Sequence, residues 1–221
     1  MQKILDWSEA WAVTIPLIVY LLKRPKEKYL KPVFLYLLIA FLLNTAGDVI
    51  VENYYHEPAW IVKINYNQSF YNFHSIVRMF LLIYFFSLLN IPSQKKIRTI
   101  LFFAAALFII INFSFFISFK NLSSATFALE GVVIIFYCIL FFLKQLKSDE
   151  ISSQFDASLY IVTGLAIYEA VSFPIFLFYQ TLTEQTKDYA VNIWDVHNIV
   201  YIVFCLFIAR SFYGSTRRTN N

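Results

Sequence analysis

Ionisable and amide residues occur inside several apolar segments of this chain. A charged side chain in an apolar segment is costly, so it normally faces a cavity or a partner group. Carboxylate, imidazole and guanidinium groups brought together in this way can bind a polar ligand or exchange a proton. The candidate ligand- or proton-binding residues are Asp48, His74, Arg78, Glu130, Glu169, Asp195, His197 and Asn198.

The charges within this set are unequal. Asp48, Glu130 and Glu169 provide three carboxyl groups, whereas Arg78 is the one obligate cation. We therefore expect a carboxyl group to share a proton, or a histidine beside it to be protonated, because unpaired buried charges are strongly unfavourable. Two interpretations stay open: the groups form a ligand or ion site, or they pair only to fix helix packing.

Metal and catalytic chemistry have less support. No apolar segment carries two histidines at helical spacing, and the last one offers only His197 followed four positions later by Tyr201. We therefore assign no metal ligands, no catalytic residues and no cofactor. No lysine lies between Val191 and Arg210, so the last segment cannot form a retinal Schiff base.

Composition predicts an integral membrane protein of one domain, residues 1–221. Apolar residues make up 59% of the chain, charged residues 14%, and the mean hydropathy is high. Seven segments approach the roughly 20 residues that cross a hydrocarbon core. They are 9–22, 32–51, 69–89, 99–119, 124–143, 157–179 and 191–212.

The basic residues predict an orientation in the bacterial inner membrane. Thirteen of the 18 lysines and arginines lie in the connections after the first, third and fifth segments or near the C-terminus. The positive-inside rule then places the N-terminus outside and the C-terminus in the cytoplasm. The net charge of +4 follows from these connections, so no nucleic-acid partner is needed.

An internal repeat is indicated by two spacings. Glu9 and Asp48 recur 121 positions later as Glu130 and Glu169, and the sequence His-x-Ile-Val recurs 123 positions after His74. We predict a parallel three-plus-one-plus-three arrangement of seven helices. Its parts are repeat unit 1 (about 5–90), a linking helix (99–119), repeat unit 2 (about 124–212) and a short cytoplasmic tail (213–221).

Two segments carry a resemblance to known proteins. Asn67 to His74 and Trp194 to Val200 resemble small, functionally uncharacterised seven-span bacterial inner-membrane proteins, some of which accompany sensor kinases. The three-one-three layout is also similar to the transporter-opsin-receptor superfamily. Nearly all the polar residues lie in the outer half or at mid-depth of their segments, which predicts a pocket open to the outside. This pocket and the short inner connections favour a non-enzymatic sensor, receptor or accessory protein, with a small-molecule ligand or a membrane-protein partner. The alternative is a small proton-coupled transporter.

A different likeness concerns the second apolar segment. Lys31-Pro32 followed by Gly47 to Ile50 is similar to the lysoplasmalogenase-like membrane hydrolases, although a later Ser-Asp pair of that family is missing. This likeness implies a second alternative, lipid hydrolysis with Asp48 as the acid that activates water.

Overall fold

The computed structural model describes residues 4–5, 7–54, 68–89, 95–147, 154–178 and 187–215, and these form helices without strands. We number the helices in chain order. They are α1 (Ser8–Trp11), α2 (Thr14–Lys23), α3 (Leu30–Tyr54), α4 (Gln68–Leu88), α5 (Lys95–Ile111), α6 (Ser124–Lys147), α7 (Gln154–Leu177) and α8 (Lys187–Ser215).

Six of these helices, α3 to α8, are long and apolar enough to cross a membrane. Large apolar side chains also cover the outside of the bundle: Phe115 is 80% exposed and Leu146 is 84% exposed. An exposed apolar surface of this kind is suited to lipid rather than water. The prediction of an all-helical membrane protein is therefore confirmed.

The N-terminal segment differs from the continuous helix expected over residues 9–22. It consists of the four-residue α1 and the ten-residue α2, and neither reaches the length of a membrane span. Pro16 lies in the first turn of α2. Because proline has no backbone N–H, it cannot donate to the Ala12 carbonyl, which accounts for the interruption between the helices. Six of the described helices are therefore long enough to span a membrane, and the seventh span stays a prediction.

One end of the bundle is defined by contacts with Glu9, and we call it the Glu9 end. In the second half of α3, the Asn44 side chain donates to the Glu9 backbone oxygen at 3.0 Å. At the start of α4, Tyr71 Oη donates to the Glu9 carboxylate at 3.2 Å, and the neighbouring Asn72 amide donates to the Phe119 carbonyl at 2.9 Å. The second half of α3, the start of α4 and the connection before α6 therefore lie at the same end.

The opposite end is defined by contacts of Lys144, and we call it the Lys144 end. Lys144 Nζ, at the end of α6, donates to the Leu89 carbonyl just after α4 at 3.4 Å. Ser211, near the end of α8, donates to the Ala157 carbonyl at the start of α7 at 2.6 Å. Successive long helices therefore alternate in direction.

Two glycines allow close approach between helices in the second half of the chain. A Cβ atom on Gly131 of α6 would lie 2.7 Å from the Phe173 ring, and one on Gly164 of α7 would lie 2.6 Å from Phe207 Cβ. Each glycine therefore leaves space for a phenylalanine of the next helix. This packing brings Glu130, beside Gly131, close to α7.

Helix α5 is the most peripheral long helix. In its apolar segment only 17% of the residues are buried, compared with 39–50% in the apolar segments of the other five long helices. The helix ends at Ile111 and continues as a π-helical turn over Asn112–Phe116. The Asn112 amide donates to Ser123 Oγ at 2.7 Å, which fixes this turn against the start of α6.

Candidate functional site

Arg78 lies at the centre of a buried ionic cluster. It is 4% exposed, and its Nε donates to the carboxylate of Glu130. Its Nη1 donates to Tyr168 Oη at 2.8 Å, and its Nη2 lies 3.2 Å from Glu169 Oε1. Each of the three guanidinium nitrogens therefore has a neighbour on α6 or α7.

The two carboxylates beside Arg78 are held differently. Glu130 also accepts a hydrogen bond from the hydroxyl of Ser75, so both of its oxygens have donors. Glu169 Oε1 lies within ion-pair distance of Arg78, but the two groups are not aligned for a hydrogen bond. We treat that contact as electrostatic only, so Glu169 is the less firmly held carboxylate.

A second polar group surrounds Glu9. Its Oε1 lies 3.3 Å from His197 Nε2, and its Oε2 accepts a hydrogen bond from Tyr71 Oη at 3.2 Å. The Nδ1 of His197 lies 3.0 Å from Ser172 Oγ, so this hydroxyl fixes the ring on its other side. Contacts from α4, α7 and α8 thus converge on the short N-terminal helix.

A pocket, which we call the Glu9 pocket, lies between the two polar groups. Its volume is about 360 Å³ including the space towards solvent. The enclosed part has room for little more than one water molecule, so a ligand would place only a very small group there unless the wall moved. The pocket is lined by Glu9, Asn44, Tyr71, His74, Ser75, Arg78, Phe127, Tyr168, Phe176, His197 and Tyr201.

Aromatic rings pack around the His197 side of this pocket. The Trp194 ring centre lies 6.1 Å from that of Tyr71, 6.0 Å from that of Phe176 and 5.1 Å from that of His197. The Phe176 and His197 rings meet edge to face at 5.1 Å. Trp194 therefore contacts three residues of the pocket wall and is placed to report on its contents.

His74 contributes a polar atom without a partner. Its ring stacks on Tyr36, with centres 5.7 Å apart and planes 16° apart. Its Nε2 is buried and has no hydrogen-bond partner among the described residues. A buried polar atom without a partner costs free energy, so a molecule that bonds to it in the pocket would be favoured.

The structure brings together five residues of the set singled out from the sequence. His74, Arg78 and His197 line the pocket, and Glu130 and Glu169 flank it through Arg78.

The other three residues of that set lie elsewhere or are not described. Asp195 and Asn198 are not among the lining residues. The Asn198 amide is fully buried and has no hydrogen-bond partner in the described part of the chain. The side chain of Asp48 lies outside the described residues.

Sequence reasoning left Glu9 out of the candidate set, although the structure places it at the pocket. Glu9 lies near the start of the chain and outside a long apolar helix, so the sequence did not indicate that its side chain is buried in the bundle. The usable signal was the spacing of 121 residues that makes Glu9 the counterpart of Glu130. Tyr168 was missed because tyrosine is common in this chain and its hydroxyl gave no pattern.

The described residues of this centre offer few ligands for a metal ion. Among the described residues, no group of three or more His, Cys, Asp or Glu side chains could hold one. Glu9 and His197 offer two ligands, fewer than the three protein ligands typical of a catalytic zinc site.

Comparisons with known proteins give no relative for this chain: no family model, no curated protein and no solved structure matches it. The class that the described fold defines is a helical membrane protein with a buried polar centre. Arguments about its function therefore rest on the residues of that centre.

Proposed function

We propose that this chain is a non-enzymatic sensor or receptor of the bacterial inner membrane that binds a small ligand in the Glu9 pocket. The observation that carries the proposal is that most of the helices contribute residues to the pocket wall. Its residues come from α1, α3, α4, α6, α7 and α8, which is every described helix except α2 and α5. A ligand that binds one arrangement of these helices better than another shifts their equilibrium, which is the physical basis of sensing.

The proposal includes seven spans, with α1 and α2 together forming the first. Glu9 lies at the Glu9 end, whereas Lys23 at the end of α2 lies over the ring of Tyr213 near the end of α8, 4.5 Å from its centre. The segment thus runs from one end of the bundle to the other. This arrangement supports a first span that packing against α8 stabilises despite its interruption.

The orientation follows from the basic residues. Lys144 and Lys147 close α6, Lys31 lies in the first turn of α3, and Arg210 lies near the end of α8, all towards the Lys144 end. The positive-inside rule favours this end on the cytoplasmic side. The Glu9 pocket, at the opposite end, then opens towards the outside.

Contacts between the two proposed repeat units support the internal repeat. Glu9 of unit 1 pairs with His197 of unit 2, whereas Glu130 of unit 2 pairs with Arg78 of unit 1. Arg78 lies one helical turn after His74, the counterpart of His197. Each acid on the first helix of one unit therefore contacts the third helix of the other unit, although His197 and Arg78 are not equivalent positions. This pattern of contacts between elements supports a pseudo-twofold axis.

A ring pair between the units fits the same axis. Tyr71 and Trp194 are separated by the repeat spacing of 123 residues, and their rings contact each other. Two equivalent residues can touch across a twofold axis only if both lie near it. The axis would then pass beside the Glu9 pocket, so both units would contribute to one ligand site.

A response to ligand would pass to a membrane-protein partner. The resemblance to seven-span proteins that accompany sensor kinases supports such an accessory role. Helix shifts of 1–2 Å at an interface are a common way of transmitting binding.

The alternative is a small proton-coupled transporter, and one observation favours it specifically. A single guanidinium lies between carboxylates of two different helices, Glu130 on α6 and Glu169 on α7. A proton on one carboxylate would release Arg78 towards the other and could move the helices. Flux of protons in proteoliposomes would support this alternative.

Hydrolysis of lysophospholipids would depend on Asp48, whose side chain lies outside the described residues.

Labelling of introduced cysteines tests the outward pocket. We expect a membrane-impermeant thiol reagent to label Tyr71→Cys in intact cells and Tyr213→Cys only in inverted vesicles. Tyr71 lines the pocket and Tyr213 lies near the Lys144 end, so the pair is a matched control. The native Cys138 and Cys205 are buried, so the unmodified chain should give little background. The reverse pattern would place the pocket on the cytoplasmic side and contradict the proposal.

A further inference from the structure

We infer that Glu169 is a proton-binding site, which carries a proton at neutral pH while Glu130 is the ionised partner of Arg78. The inference concerns the buried ionic cluster and goes beyond the proposed function, since it needs no ligand in the Glu9 pocket. It follows from the charge of the cluster, the unequal hydrogen bonding of its two carboxyl groups and the surroundings of Glu169.

The buried ionic cluster has one acidic group more than it has cations. Glu130 and Glu169 are 1% and 2% exposed, and Arg78 is the one lysine, arginine or histidine in contact with them in the described part of the chain. An uncompensated carboxylate is very costly to bury, and a carboxyl group in such a place becomes neutral by taking up a proton. A second carboxylate nearby adds to this tendency, because like charges disfavour each other. One proton therefore balances the cluster as a carboxylate, a guanidinium and a neutral acid.

Glu130 is the carboxyl group suited to stay ionised. Its two oxygens accept hydrogen bonds from Ser75 Oγ and Arg78 Nε, and such bonds stabilise the charged form. By contrast, Glu169 Oε1 is buried without a hydrogen-bond partner among the described residues, although Arg78 Nη2 lies 3.2 Å away. An unpartnered buried oxygen costs less on a neutral acid than on a carboxylate. The proton is therefore assigned to Glu169.

The other titratable groups around Glu169 supply no second positive charge. From α6, the neutral Cys138 thiol interacts with it electrostatically. From α8, His197 and Tyr201 contact the ring of the neighbouring Tyr168, with ring centres 5.5 and 5.8 Å apart, and not the carboxyl group of Glu169. A proton on Glu169 itself is thus the remaining way to remove the excess charge.

Proton binding at Glu169 makes and breaks few bonds. An O–H bond forms on one carboxyl oxygen, the proton comes from water, and Arg78 stays a guanidinium because arginine is not deprotonated in proteins. Loss of the proton would leave a second carboxylate beside Arg78 Nη2 and attract this side chain towards α7. Since Arg78 also lines the Glu9 pocket, the proton on Glu169 and the shape of the pocket depend on the same side chain.

Infrared spectroscopy tests the inference, because the C=O stretch of a protonated carboxyl group is separate from the bands of a carboxylate. The purified full-length protein is measured at neutral pH in an alkyl maltoside detergent, which has no ester carbonyl, in H₂O and in D₂O. We expect the difference between the wild-type and Glu169→Gln spectra to contain a protonated-carboxyl band that shifts in D₂O. Glu27→Gln, which removes a carboxyl group from the connection between α2 and α3, should leave this band in place. Absence of the band from the difference spectrum would overturn the inference.

Glu130→Gln tests the argument from charge. In this variant Arg78 faces Glu169 alone, so one cation balances one carboxylate and the band should disappear although Glu169 is still present. A purely structural role for Glu130 would leave the band unchanged. Persistence of the band in Glu130→Gln would therefore contradict the inference.

Ser75→Ala distinguishes the two carboxyl groups as carriers of the proton. Ser75 donates to Glu130, so its loss should leave the frequency of a band from Glu169 unchanged. A band that moves to higher frequency has lost a hydrogen bond, which would place the proton on Glu130 and overturn the assignment. If Glu169→Gln fails to fold, Glu169→Asp takes its place: it keeps a carboxyl group on a shorter side chain and should move the band.

Failure of this inference and failure of the proposed function give different results. A missing band removes the proton site only. The ligand proposal depends instead on compounds that copurify with the wild-type protein and not with Glu9→Gln, whatever the infrared spectrum of Glu169 shows.

Discussion

Removal of the Arg78 charge should destabilise the protein strongly. In Arg78→Met, Glu130 and Glu169 lose their cation, and the Tyr168 hydroxyl loses the bond it accepts at 2.8 Å. Breaking a buried ion pair by removing one partner costs about 3–5 kcal/mol, because the other charge stays buried and unpaired. Methionine keeps much of the side-chain length, so most of the loss should be electrostatic rather than a cavity effect.

A second substitution distinguishes charge from packing. Glu130→Gln in the Arg78→Met background removes one of the two carboxyl groups that lose their cation and leaves only Glu169 without one. We therefore expect it to regain about 1–2 kcal/mol, within the usual range of coupling energies for contacting residues. Arg210→Met is the matched control, since Arg210 is exposed and lies over the Tyr160 ring at 5.2 Å. An exposed contact of this kind contributes about 0.5–1 kcal/mol.

Reversible unfolding in lipid bicelles or mixed micelles provides the measurement, with helicity and tryptophan fluorescence as independent probes. The prediction compares Arg78→Met, its double variant with Glu130→Gln, and Arg210→Met under one set of conditions. If Arg78→Met lies within 1 kcal/mol of the wild-type protein, or if the second substitution adds a further loss, the buried ionic cluster does not stabilise the bundle as argued.

Three further predictions follow from particular contacts. Glu130→Gln should lower the unfolding temperature more than Glu169→Gln, since both Glu130 oxygens accept hydrogen bonds while Glu169 Oε1 accepts none; equal losses would contradict this ranking. Gly164→Ala should cost about 1–3 kcal/mol, because its Cβ would lie 2.6 Å from a phenylalanine on α8. Gly214→Ala, with 3.7 Å to its nearest neighbour, should cost less than about 0.5 kcal/mol, and similar values for the two would refute the close approach. A fluorescent protein fused after Asn221 should fluoresce and an alkaline phosphatase fused there should be inactive, because the C-terminus is expected in the cytoplasm. The opposite pair of results would contradict this orientation.

Much of the fold could be predicted from hydropathy, because the requirement of about 20 apolar residues per span is largely local. The N-terminal segment was harder, since a run of apolar residues does not show how Pro16 divides a helix. The π-helical turn after Ile111 was also unforeseen. It depends on hydrogen bonds from Asn112 to residues of the next helix, which no local pattern records.

The candidate site could be predicted in part for a related reason. Arg78, Glu130 and Glu169 were recognisable because a charge inside an apolar segment needs a partner. Their pairing depends on which faces of α4, α6 and α7 meet, and a single sequence does not fix those rotations. Glu9 escaped the candidate set because its burial arises from the packing of α1 against α3 and α8, a tertiary effect.

The most direct test of a ligand-binding pocket is the identity of small molecules that copurify with the protein. Wild-type protein and Glu9→Gln, purified in parallel and compared for helicity and unfolding temperature, are extracted and analysed by mass spectrometry. The account predicts a compound enriched with the wild-type protein and depleted in Glu9→Gln while both remain folded. Identical extracts from two folded proteins would contradict a ligand site at Glu9 and leave the polar centre with a role in helix packing alone.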